Sequence, residues 1–225
     1  MKHLCLLLLF VGTFYCTQAV DTLKTARPNE SYNAIKLGAT TVSVMIPMVQ
    51  VGFEHRWNRY SWQTTIGSII PKPYIVDDSI RGTTSGFSLR LDGRLHNHNP
   101  SHSGLFIGVG LFYTWFKHPH AGRFADSQTA LSDPRSDWDT YLLNKSTLGL
   151  VVQLGGHHYI GKHLDVELSV GVGPKVMFTS QIGRNDPNSE YASRHSNIHD
   201  IESQLGTVWA AAIQGQVSVG YIFGK

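Results

Sequence analysis

Nine charged residues could act together in this chain: Lys36, Glu54, Arg56, Arg90, Asp92, Arg94, Asp165, Glu167 and Lys175. Within each segment they recur at even spacing, as in Arg90-x-Asp92-x-Arg94 and Asp165-x-Glu167, so an extended chain projects them from one face. Five cations and four anions gathered on one side of a sheet can do two kinds of chemistry. Interlocked, they form ion pairs that fill an interior; set apart around water, they line an ion-selective pore. Burying either sign unpaired costs several kcal/mol per charge. A lumen-plugging network is therefore expected, with Glu54 and the arginines of the Ser85–His96 segment as its central members.

Histidines form a second group. His96, His98 and His102 cluster in one short turn, His157, His158 and His163 flank the next, and His118 and His120 open a long loop. Imidazole suits zinc, copper or nickel, but no HExxH or other tight ligand spacing occurs. Solvated turn histidines account for the pattern, so no metal and no other cofactor is expected. A third group is Arg194-His195-Ser196-Asn197 with Glu202, superficially a nucleophile, base and acid. Its His and Ser are adjacent rather than alternating along a strand, and no oxyanion donor can be named. No catalytic residue is assigned. An outer-membrane lipid-modifying enzyme of the lipid A acyl hydrolase kind, or a narrow selective pore, are the alternatives to a non-enzymatic barrel.

The elements that must hold these residues are strands. Alternation predicts eight, over Asn33–Met45, Met48–Trp57, Tyr60–Ile70, Ser85–His96, Gly104–Lys117, Ser146–Tyr159, His163–Phe178 and Thr207–Phe223. Most have the roughly 9–11 residues that a tilted strand needs to cross a bilayer. Asn58-Arg59, Asn97–Ser103 and Ile160–Lys162 are short turns with Asn, Pro or Gly chemistry. Pro71–Thr84, His118–Lys145 and Thr179–Gly206 are long and polar, with short helical pieces expected at Asp137–Leu143 and Ser203–Leu205. Short and long connections alternate, as periplasmic turns and surface loops do in outer-membrane barrels; the brief Ile46-Pro47 join is the exception.

Strand phase decides which side faces what. Leu105, Ile107, Val109, Leu111, Tyr113 and Trp115 share one face of their strand, and Leu164, Val166, Leu168, Val170 and Val172 one face of theirs. The opposite faces mix charge, amide and glycine. A soluble barrel or sandwich buries its apolar face and exposes its charges; here charge shares a phase with glycine, which fits a lumen too narrow for bulky side chains all round. Trp57, Tyr60, Trp62, Tyr113, Trp115, Tyr159, Trp209, Tyr221 and Phe223 lie near strand ends, where interfacial girdles form.

Export is written at the start. Lys2 and His3 precede an apolar run from Leu4 to Val11 and a small-residue exit, with Thr17 and Ala19 before a cleavage at Val20. This is signal-peptide patterning, too short for a spanning helix, and Phe14-Tyr15 before Cys16 argues against a lipid anchor. Both cysteines, Cys5 and Cys16, fall inside it, so the mature chain has no thiol or disulfide chemistry. Removing Lys2 leaves the 19 Lys and Arg one fewer against 16 Asp and Glu, a balance that argues against a nucleic-acid partner. The expected organisation is a signal peptide at 1–19, a leader at 20–32 and an all-β, eight-stranded antiparallel up-and-down transmembrane barrel at 33–225. Its partners are outer-membrane lipid and, through long loops bearing Trp138, Tyr141 and Tyr191, a surface protein or glycan.

Three segments carry a family resemblance: NAIKLG at Asn33–Gly38, VGFEHRWNRYS at Val51–Ser61, and Leu89–Phe116 with LRLDGRL followed by GLFIGVGLFYTWF. In order and character they resemble the uncharacterised outer-membrane barrels of domain of unknown function 3575, which are similar to small OmpA-like barrels. The chain departs from that pattern at Asp92-Gly93 and Leu95-His96. The resemblance implies a small outer-membrane barrel and brings no activity with it.

Overall fold

The computed structural model describes residues 31–41, 47–71, 73–76, 79–97, 103–125, 137–183, 190–191 and 206–223. The signal peptide, all but the end of the leader, His98, His102, the 194–202 loop set and the expected helical piece at Ser203–Leu205 lie outside these residues. Eleven strands are described: β1 (Tyr32–Thr41), β2 (Pro47–Trp57), β3 (Tyr60–Ile69), β4 (Pro73–Val76), β5 (Ser79–Thr83), β6 (Ser85–His96), β7 (Ser103–Ala125), β8 (Asp137–Ile160), β9 (Leu164–Ile182), β10 (Glu190–Tyr191) and β11 (Gly206–Phe223). Eight of them, β1, β2, β3, β6, β7, β8, β9 and β11, form one antiparallel ring. It closes because β1 pairs with β11 and β7 pairs with β8.

The short turns follow their residue types. Asn58 and Arg59 join Trp57 to its partner Tyr60, with Asn58 at φ 55° in the left-handed region that Asn tolerates. Gly161, at φ 65°, opens the three-residue link between the paired Ile160 and Leu164.

Three expected long connections are shorter than their composition implies. Pro71–Thr84 contains the β4–β5 hairpin. Most of His118–Lys145 is strand, because β7 and β8 stay in register from Lys117↔Asn144 to Phe124↔Asp137. Asp137–Leu143 is therefore strand and not helix: Tyr141 and Leu143 point inward and Leu142 outward, the two-residue period of a pleat. β9 likewise runs on to Ile182, and β10 adds to β7 at Phe124 and Ala125. Tyr32, assigned to the leader by composition, begins β1, where it pairs with Arg56.

The barrel is inverted relative to a soluble one. Lys36, Glu54, Asp92, Arg94, Asp165 and Glu167 are all at most 3% exposed, whereas Leu37, Ile66 and Ile213 are 59–64% exposed. Apolar surface costs about 25 cal/mol per Å² when left in water, so such an exterior is stable against hydrocarbon. Closure leaves the ring no unpaired edge, the other condition for strands in lipid. On β7 the outward band runs from Leu105 to Trp115, roughly 25 Å tall once a tilt of about 40° is allowed for. The chain is a transmembrane β-barrel. At the short-turn end Trp57, Tyr60, Trp62, Tyr221 and Phe223 are outward and exposed. Phe87 packs on Tyr113 and Trp115 toward the other end. Tyr159 does not join this girdle; it turns inward to bond the Tyr32 hydroxyl at 2.8 Å.

Candidate functional site

The lumen is the candidate site, and Lys36 stands at its centre. Projected inward from β1, its Nζ lies 2.5 Å from Glu167 Oε2, 2.7 Å from Glu54 Oε2 and 3.3 Å from Asp165 Oδ2. The three carboxylates come from β2 and β9, and the β1–β2 and β1–β11–β9 pairings bring them round to one lysine. Arg94 of β6 closes the far side: Nη1 donates to Glu167 at 2.9 Å and stands 4.0 Å from Glu54, and Nη2 stands 3.7 Å from Asp92. The Arg94 guanidinium also lies over the Phe106 ring at 4.7 Å, a cation–π contact.

Arg90 forms the next layer. Its Nε donates to both Asp92 oxygens at 2.8 and 2.9 Å, Nη1 to Gln214 at 2.7 Å and Nη2 to Gln153 at 2.6 Å. Charge-assisted bonds of this kind are about twice as strong as neutral ones. On the long-strand side lies apolar packing: Phe112, Val151 and Ala212 form one buried cluster, with Met48 and Met177 nearly inaccessible. The Phe112 and Phe106 rings fit because Gly149 and Gly155 stand opposite them, where a Cβ would enter the rings. The lumen is therefore filled in layers, a dense ionic one toward the short turns and, beyond Arg90, a mixed one in which Phe112, Val151 and Ala212 share the interior with the buried Lys175.

Two of the nine predicted residues stand apart from this cluster. Arg56 is half-buried at the short-turn rim, where it donates to the Tyr159 hydroxyl at 2.6 Å and approaches that of Tyr32 at 3.4 Å. It shares the lumen phase, but the strand end places it against two phenols and not an acid. Lys175 is buried but lies roughly 25 Å up β9 from Glu167, opposite Gly149 and Ala210 and out of reach of the central carboxylates. Alternation alone does not report height along the barrel.

Alternation carried a further set that charge alone missed. Gln50, Gln63, Gln153, Gln214 and Gln216 are buried on the same phase; Gln153 and Gln214 accept from Arg90, and Gln63 lies in register between Glu54 and Asp92. The histidines also sort differently from a common rim cluster. His96 and His157 are both buried, with ring centroids 5.3 Å apart, whereas His163 is outside the lumen, stacked on Tyr221. Among the described residues the group with metal-ligand proximity is Glu54, Asp165 and Glu167, and the Lys36 ammonium stands in contact with all three, with Arg94 beside Glu54 and Glu167. Ser61, His96 and Glu54 imitate a catalytic triad, yet Ser61 Oγ at 2.8 Å and Glu54 Oε1 at 3.7 Å both approach His96 Nε2. An orienting acid belongs on the other ring nitrogen, so this set cannot relay a proton as a triad does.

No family model matches the chain, and no curated protein matches it either. Among solved structures it is similar to a major outer membrane protein from Thermus thermophilus (13% identity, TM-score 0.47, covering 86% of this chain and 99% of that one). It is similar to the N-terminal β-barrel domain of Pseudomonas aeruginosa OprF (10% identity, TM-score 0.41, covering 85% and 97%). Neisserial surface protein A is a third likeness (11% identity, TM-score 0.39, covering 85% and 94%).

Proposed function

We propose that this chain is a non-conducting, non-enzymatic barrel of a Gram-negative outer membrane, with a structural or surface-binding role. The observation that carries the proposal is the filled lumen: Lys36 is held by three carboxylates, and Phe112, Val151 and Ala212 pack beyond Arg90. An eight-stranded barrel is just wide enough for side chains to fill. Here no group in that stack can leave without stranding a buried charge or opening a void. The inverted wall and the short turns at one end support the outer membrane as its place. The strands of β7, β8 and β9 continue past the apolar band and supply a raised surface for protein or glycan contact. The segments Asn33–Gly38, Val51–Ser61 and Leu89–Phe116 are what supports kinship with the barrels of domain of unknown function 3575.

Purified barrel in a planar bilayer tests the closed lumen. No unitary current is expected; stable steps of reproducible conductance would refute it.

A further inference from the structure

The outer wall carries a notch that the lumen does not explain. Gly93 lies on the outward face of β6, between Trp62 of β3 and Val109 of β7 in register. The lumen glycines Gly149 and Gly155 are hemmed in, but a Cβ at Gly93 would meet nothing within 4 Å. Its φ lies outside the left-handed region that calls for glycine. A mid-strand glycine with neither reason lowers strand stability and packs nothing. It floors a groove of about 500 Å³.

Aromatic residues make one wall. Trp57 and Tyr60 stack at 6.3 Å, His55 and Trp57 at 5.6 Å, and Phe53 and Trp62 meet at 5.5 Å. Ile107 and Val109 make the other, and Leu95 crosses the lower end. One residue below Tyr60 is Arg59, exposed in the β2–β3 turn, whose carbonyl accepts from His96 N at 2.7 Å and so fixes the turn beneath Leu95. A cationic residue thus lies just beyond the short-turn end of the apolar slot, roughly 10 Å along the strand from Gly93. That is the order of groups in a glycerophospholipid: phosphate outside, acyl chain inward.

We propose that this groove binds one glycerophospholipid of the leaflet on the short-turn side, its acyl chain over Gly93 and its phosphate at Arg59. Bulk hydrocarbon is as apolar as the slot, so selectivity comes from close packing on rigid rings and from the charge-assisted contact at Arg59. The proposal rests on the outer-membrane placement proposed above but not on the closed lumen. A conducting barrel would leave it standing.

The test is native mass spectrometry of the refolded mature chain in detergent, titrated with phosphatidylglycerol or with diacylglycerol of the same chains. One phosphatidylglycerol is expected to stay bound, at least about fivefold tighter than diacylglycerol. Gly93→Leu, which fills open space, is expected to lower phosphatidylglycerol retention by about the same factor. Val109→Trp fills the slot from the opposite wall and gives the same loss if Gly93→Leu fails to fold. Arg59→Gln is expected to bring phosphatidylglycerol down to the diacylglycerol level while leaving the latter unchanged. Equal retention by wild type and the filled variants overturns the proposal. So does a dimer that the filled variants abolish, which would assign the groove to a second copy of the chain.

Discussion

Removing the Lys36 ammonium gives the most demanding check on the lumen. In Lys36→Met the side-chain volume is nearly kept, but Glu54, Asp165 and Glu167 remain with oxygens within 4.8 Å of one another. At that separation each like-charge pair repels by about 3–4 kcal/mol for an effective dielectric near 20. Arg94 still touches Glu167 and Glu54 and offsets part of this, so the net loss expected is the ~3–5 kcal/mol typical of breaking a buried pair. Against a total stability of about 5–15 kcal/mol, that is a large fraction. Glu167→Gln strips a partner from both Lys36 and Arg94 and is expected to cost a similar amount. The double variant removes one charge of each sign and is expected to cost at least about 2 kcal/mol less than the sum. Urea unfolding in lipid vesicles, followed by tryptophan fluorescence and by the gel shift of folded barrel, measures all three. Additivity within about 0.5 kcal/mol, the behaviour of independent sites, would refute the network as described.

Two further substitutions separate the inside of the wall from the outside. Gly155→Ala places a methyl group in the Phe106 ring, where an ideal Cβ would lie 2.5 Å from Cε1. It is expected to destabilise by ~1–3 kcal/mol, with partial recovery in Gly155→Ala/Phe106→Leu in the same unfolding assay. Leu111→Arg puts a charge on the lipid face at mid-band, where Leu111 is 50% exposed. The expected loss is ~2–4 kcal/mol in vesicles, and a loss under about 0.5 kcal/mol would contradict the transmembrane placement.

What was legible in the chain is what a two-residue period can encode. Local alternation marked the inward face of β6 and β9 because Arg90, Asp92, Arg94, Asp165 and Glu167 repeat in one phase. Glycine on that phase marked the crowded side. The ends of β7 and β8 were not legible: His118, Pro119 and Gly122 read as loop chemistry. They extend only because each finds a partner across the hairpin, as in Pro119↔Leu142 and Gly122↔Asp139. Turn-forming residues such as these mask the alternation, although Pro119, Tyr141 and Leu143 are buried within the extension.

The sequence by itself determined the sidedness of the wall and the short turns, since both depend on neighbours a few residues apart. Which charge meets which was decided by closure. Lys36 and Glu167 are 131 positions apart in the chain, and they touch only because β1 zips to β11 and β11 to β9 in one register. The same closure set Arg56 at the rim and carried Lys175 out of the cluster, because phase fixes the direction of a side chain but stagger fixes its height. Gly93 follows the same division. The sequence shows a glycine on an apolar phase, and only the packed wall shows that the space above it is empty.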